Sequence, residues 1–347
     1  YKSSISGGFT GIGLQPTENP SRDQKADILF CINAAKKLGI NVVPYGAISK
    51  GLQVKQLSEM YDMYNSGSLA FSDNMSPVKH AGLFSRAVLY AKNFNGLIIS
   101  FPYDNSIVPN GQINEGIVST KLGLEGIPDL SEEIMLNRDL SINKYHQGKL
   151  HFNIISSKKS VDTIKDAKNN QSTISCGTSI YHLLFDDQQL DGFNAQFKIL
   201  PPFRRKLDRD ALLEGVKNGV IDVITSYHQP NEEEVNNVEF SIAPFGIIGT
   251  QITFPLALTY LLDYLGLEKI IQCMSINPRT ILQCEVPIIK EGHKVDITLF
   301  DPNKKWTYNK ENNNSKSENT PLFGTELKGF VHGTLIGSNY HQNLPID

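Results

Sequence analysis

Acids and imidazoles follow directly on several apolar runs of this sequence: Asp73 after 68–72, Asp104 after 96–101, His182 after 172–178 and His228 after 220–225. Side chains of these types, converging from several strand ends, are what a hydrolytic metal site needs. They hold a divalent ion and bring the pKa of its bound water to about 7. The set is thin for that chemistry. In "VIDVITSYHQP" (220–230) the apolar Val220, Ile221, Val223 and Ile224 run into Thr225, Ser226, Tyr227 and His228, with a tyrosine where a strand-end carboxylate would act as base. A phenol with an ordinary pKa near 10 stays protonated at neutral pH and does not do that work without a large shift. Taken singly, His228 reads as a polar loop residue rather than a ligand. His182 reads as a structural residue at a helix start, and His151, early in an apolar run, as a hydrogen-bonded core histidine. Other motifs are missing. There is no phosphate loop and no G-x-S-x-G elbow, and "GGFTGIG" lacks the helix opening and downstream acid of a dinucleotide fingerprint.

The elements that must position these residues alternate. Strand-like runs at 8–15, 41–48, 68–72, 96–101, 149–156, 172–178 and 220–225 are separated by helix-patterned segments at 22–38, 53–66, 81–93, 131–146, 160–169 and 208–218. Many of the runs are too apolar to own a wet face, as in a parallel sheet covered on both sides. The repeated order predicts an α/β fold, either a barrel or a doubly wound sheet. Seven strands is one short of a (β/α)8 barrel, and Tyr1 is not an initiator methionine. We therefore expect the first barrel strand to lie upstream of Tyr1. Beyond the last strand, 251–264 and 268–283 read as helical, with Asn277-Pro278 as an interhelix turn or a helix start. From Gly292 the pattern turns to short β-like pieces around a polar stretch at 309–320, read as a surface loop. The expected organisation is a barrel over 1–285 and a small β-sandwich part over 286–347.

Bulk properties narrow the partners. The 347 residues, 40% hydrophobic and 20% charged, suffice for a large core. A net charge of −3 without any long basic run argues against nucleic acid and anionic membranes. No apolar run approaches the roughly 20 residues of a membrane span. Cys31, Cys176, Cys273 and Cys284 are scattered, which predicts free thiols in a reducing cytoplasm.

Several stretches, in order, resemble dihydroorotase of the amidohydrolase superfamily, the type found in multifunctional pyrimidine complexes. They include "GGFTGIGLQPTENP" (7–20), "LAFSDN" (69–74), "INEG" (113–116), "LGLEGIP" (122–128), "EEIMLNRD" (132–139), "PPFR" (201–204), "APFGIIG" (243–249), "EGHKVDITLFDP" (291–302) and "SENTPLFGTELKG" (317–329). The resemblance implies a zinc-dependent (β/α)8 barrel with a small β-sandwich. It also implies a metal-binding His-x-His that would fall before Tyr1. Residue by residue it implies loss. Asp73 stands at a ligand position, the only one retained, whereas Ile154 and Tyr181 replace ligand histidines. Tyr227 replaces the aspartate that acts as general base and metal neighbour. At the substrate pocket, Thr17 and Leu200 replace contacting asparagines, with Asn19 and His228 nearby.

Three readings follow. The first is a catalytically inactive dihydroorotase homologue, structural or regulatory beside aspartate transcarbamoylase, homo-oligomeric, with zinc absent or weakly held. The second is an active zinc dihydroorotase, converting carbamoyl aspartate to dihydroorotate with an altered ligand set. The third is a pocket lined by Phe101, Tyr181 and Tyr227 that takes a different ligand.

Overall fold

The structure, a computed structural model, describes residues 1–17, 20–170, 173–232, 234 and 238–343. All seven expected strands form: β1 (Gly11–Leu14), β2 (Asn41–Pro44), β3 (Ala70–Phe71), β4 (Leu97–Ser100), then, after a short pair, β7 (Lys149–Phe152), β8 (Ile174–Ser179) and β9 (Val223–Thr225). The intervening pair, β5 (Ile113–Asn114) and β6 (Gly126–Ile127), was not expected, because two-residue strands carry no periodicity to read. The seven run parallel. β1 pairs with β2, the Gly46↔Phe71 bridge links this pair to β3, and the order continues β3-β4-β7-β8-β9.

Helices α1 (Lys2–Ser6), α2 (Lys25–Leu38), α3 (Met60–Asn65), α4 (Ala81–Lys92), α5 (Ile117–Leu122), α6 (Leu130–His146), α7 (Lys158–Lys168), α8 (Ile180–Leu184) and α9 (Lys206–Lys217) alternate with the strands. Local chemistry sets their limits. His80 and Ser157 accept the Leu83 and Ser160 amides and so cap α4 and α7. α2 stops at Gly39, whose φ of 68° suits a residue without Cβ. On α4 the buried Leu83, Phe84, Ala87, Val88 and Ala91 repeat at helical spacing and form the stripe that covers the sheet. The segment after β9 is helical over Thr253–Tyr260, Leu262–Leu265, Leu267–Ile271 and Asn277–Ile281, and Pro278 does sit in a first helical turn. No helix among the described residues is long and apolar enough to cross a membrane.

Three antiparallel strands follow, β10 (Asp296–Tyr308), β11 (Thr325–Ile336) and β12 (Asn339–Gln342). Trp306, Tyr308, Leu327 and Phe330 are continuous with the barrel core, so this sheet is bonded to the barrel through apolar contact. The polar 309–320 stretch does more than skirt the surface. Asn319 is buried, donates to the Gln229 and Gly246 carbonyls at 2.8 and 3.0 Å, and accepts the Asn231 amide at 3.2 Å.

Among the described residues no pairing joins β9 to β1. A cavity of about 980 Å³ is lined by residues of both strands together with Leu97, Ile99 and His151. Barrel interiors are normally filled by inward-pointing side chains. Here Gly11, Gly13 and Ala70 are small, while Leu97, Ile99 and His151 supply the bulk on the far wall.

Candidate functional site

The C-terminal ends of the strands are where barrel loops converge. At the end of β9, the Thr225 hydroxyl accepts the Tyr227 amide at 3.2 Å, and Tyr227 turns into the left-handed region at φ 45°. Aspartate and asparagine adopt that conformation more cheaply than a tyrosine does. The turn thus has a shape suited to a short polar side chain and carries a phenol. Tyr227 is buried, and its hydroxyl donates to the Leu200 carbonyl at 2.6 Å. Burial raises its pKa further above the ordinary value, away from base function. Next to it, His228 Nδ1 accepts the Gly249 amide at 3.0 Å and the Thr250 amide at 3.4 Å. The ring proton therefore sits on Nε2. Burial lowers its pKa to about 4, so the imidazole is neutral near pH 7.

At β8, Ser179 caps α8 by accepting the His182 amide. Tyr181 is fully buried and donates to the Ile248 carbonyl at 2.5 Å. His182 has both ring nitrogens engaged, with Ser179 Oγ at 2.7 Å and the Pro201 carbonyl at 3.0 Å, and burial lowers its pKa to about 4. Ile154, beyond β7, has no exposed surface. Asp73, beyond β3, accepts the Ile48 amide at 2.7 Å, the Ser49 amide at 3.0 Å and the Ser49 hydroxyl at 2.5 Å. Burial outweighs these bonds and raises its pKa to about 6.

The cavity brings together only part of the expected site. Thr17, Tyr227 and His228 line it, joined by Gln15, Asn74, Thr225 and Gln229. Leu200 is not among its lining residues; its side chain is buried and its carbonyl is held by Tyr227. Phe101 and Tyr181 are likewise packed in the core, so the three-aromatic pocket does not form around this cavity. Asn19 lies outside the described residues. His151 is the core histidine expected, bonded to Ser175 Oγ at 2.8 Å, yet it also faces the cavity.

Comparison with known proteins agrees with this architecture. The sequence profile described as Dihydro-orotase-like matches residues 2–160. The dihydroorotase of Acetivibrio thermocellus is 36% identical over 340 residues, covering 97% of this chain and 80% of that protein. That of Ruminiclostridium cellulolyticum is 37% identical over 339 residues, covering 97% and 79%. The chain belongs to the dihydroorotase family. Solved structures share the fold: the L-hydantoinase of Arthrobacter aurescens superposes with a TM-score of 0.83 at 18% identity, over 97% of this chain and 78% of that one. The Saccharomyces cerevisiae dihydroorotase, solved with 5-fluoroorotic acid, gives 0.74 at 13% identity over 98% and 92%.

Against a dihydroorotase-type zinc centre, the described residues do not fit. Both Asp73 oxygens, both His182 nitrogens and His228 Nδ1 are spent on protein partners, and Ile154 offers no donor. Among the described residues no group of three or more histidine, cysteine, aspartate or glutamate side chains is placed to hold a metal ion. A buried polar network, which motif reading passed over, links Glu132 to Arg204 through Ser156. Glu132 accepts the Ser156 and Ser157 amides at 3.0 and 3.3 Å, and the Ser156 hydroxyl. Arg204 reaches Ser156 Oγ at 3.1 Å, Asn114 Oδ1 at 3.0 Å and the Ile127 carbonyl at 2.6 Å. "INEG", "EEIMLNRD" and "PPFR" meet here through Ser156 and Arg204, and the ion-pair partner of Arg204 is Asp129 at 3.3 Å.

Proposed function

We propose that this dihydroorotase homologue is catalytically inactive and acts as a structural or regulatory subunit, with aspartate transcarbamoylase as its partner. The observation that carries the reading is the state of the strand ends. Where the resemblance calls for two metal-binding histidines and a general base stand Ile154, Tyr181 and Tyr227, all buried, with both phenols spent on backbone carbonyls. A phenol donating inside the core is held in its neutral form, and isoleucine has no electron pair for a metal. The large continuous core supports a chain that still folds around a site without its chemistry.

The second reading, an active zinc dihydroorotase with altered ligands, is favoured by the identity of 36 to 37% with proteins named dihydroorotase. Its reaction would be the cyclisation of carbamoyl aspartate to dihydroorotate. Metal analysis and a cyclisation assay on the purified protein separate the two: substoichiometric zinc and no turnover support the first, and metal-dependent turnover supports the second. For the partner, co-purification with aspartate transcarbamoylase supports the proposal, and separate elution at matched concentrations contradicts it.

A further inference from the structure

The loops that follow β4, β8 and β9 meet in a second, smaller core. Ile113, Leu190 and Phe240 are buried there with Leu122, Leu124 and Phe197 around them, and Phe197 is the residue this cluster shares with the barrel core, through the rings of Phe185 and Phe203. One side chain ties the three loops together. Lys198 is buried, and its ammonium donates to Gln112 Oε1 at 2.5 Å, to the Phe240 and Ala243 carbonyls at 2.7 Å and to the Ser241 carbonyl at 3.4 Å. The rings of Phe240 and Phe245 lie 5.0 Å from it, close enough for a cation–π contact on two sides. None of these partners is a carboxylate. The Lys198 carbonyl adds a further tie by accepting the Gly246 amide at 2.9 Å.

We propose that residues 112–124, 190–198 and 240–245 form one cap that opens and closes as a unit, with the Lys198 ammonium as its latch. An ammonium taken out of water needs all of its partners at once, and it regains its hydration when they separate. Closure is therefore all-or-none, with a small net stabilisation. The base of the cap stays with the barrel, because Arg204 donates to Asn114 Oδ1 at 3.0 Å and to the Ile127 carbonyl at 2.6 Å. The Lys121–Asp191 ion pair also joins two of the loops, but it is exposed and contributes little beside the buried ammonium. Barrel ligands approach the strands from their C-terminal ends, where these loops lie, so the cap is placed to gate that approach. The inference stands whether or not the strand ends are catalytic.

The test is native-state amide hydrogen exchange on the purified protein through a series of urea concentrations below the unfolding transition. The Leu124, Phe197 and Ala243 amides report one loop each, bonded to the Ser119, Asn194 and Glu239 carbonyls. They are expected to share one opening free energy and one urea dependence, both below those of β4 and β7. Lys198→Met should speed exchange at all three at least about tenfold and at β4 and β7 less than about twofold. The proposal is overturned if the three loops of the unsubstituted protein open with separate free energies, or if they exchange only together with β4 and β7. It is also overturned if Lys198→Met speeds exchange in 240–245 alone. The measurement on the unsubstituted protein decides the matter even where the variant does not fold.

Discussion

Tyr227 condenses the account at the scale of a residue. Its side chain has the size of a core residue and its hydroxyl a structural partner, while its backbone holds a turn that a small acid would enter with less strain. Replacing it by phenylalanine removes the hydroxyl from the Leu200 carbonyl and leaves that acceptor buried. We expect a loss of about 1–2 kcal/mol in urea unfolding, with no change in the cyclisation rate. His182 supplies a pH test. Its folded pKa is about 4 against an ordinary value of 6.5, so the unfolded chain binds more protons between those values. Stability contributed by the neutral ring is full above about pH 6.5 and falls as pH drops toward 4, by about 3 kcal/mol. His151, lowered to about 3, acts in the same direction, while Asp73 and Asp139, both raised to about 6 by burial, oppose it. Urea unfolding from pH 4 to 7 should show the His182→Gln variant with a shallower dependence than the parent; parallel curves would refute the assignment.

At the scale of elements, the buried network between α6, the β7 loop and the "PPFR" segment fixes one half of the strand ends. Arg204→Leu removes the ion-pair partner of Asp129 at 3.3 Å and leaves Asn114 Oδ1 and the Ile127 carbonyl without their donor, and the expected loss is about 1.5–3 kcal/mol in chemical denaturation. Arg204→Lys recovers little, because one ammonium cannot reproduce a planar fork reaching Ser156, Asn114 and the Ile127 carbonyl. These elements also show what was legible. Apolar runs bounded by polar loops gave all seven barrel strands and the flanking helices, since a strand covered on both faces has no alternative composition. β5, β6 and α5 were invisible, being too short for a period. So was the role of 309–320, because an asparagine's partners lie in tertiary space: Asn319 bonds to residues some 70 to 90 positions away. The residue types at the strand ends were readable directly. That Asp73 and His182 are occupied by protein donors and acceptors was not.

At the scale of the whole molecule, the β1–β2 pair packs partly on a satellite cluster. Ile5 of α1, Ala35 of α2, Ile40 and Ile336 of β11 form it with Ile12 and Val42 against it, while Ile28 of α2 belongs to the main core. Sparser apolar contact lowers the cost of local opening. Native-state hydrogen exchange should find the amides of β1 and β2 opening at lower free energy than those of β4 and β7; uniform protection would contradict this division.

The central claim is that a dihydroorotase fold persists here without dihydroorotase chemistry. It is tested most directly by supplying the purified protein with excess zinc and following carbamoyl aspartate cyclisation beside an active family member. The account predicts a rate indistinguishable from the protein-free blank and less than one zinc retained per chain. Turnover comparable with the active relative, carried by stoichiometric zinc, would contradict it.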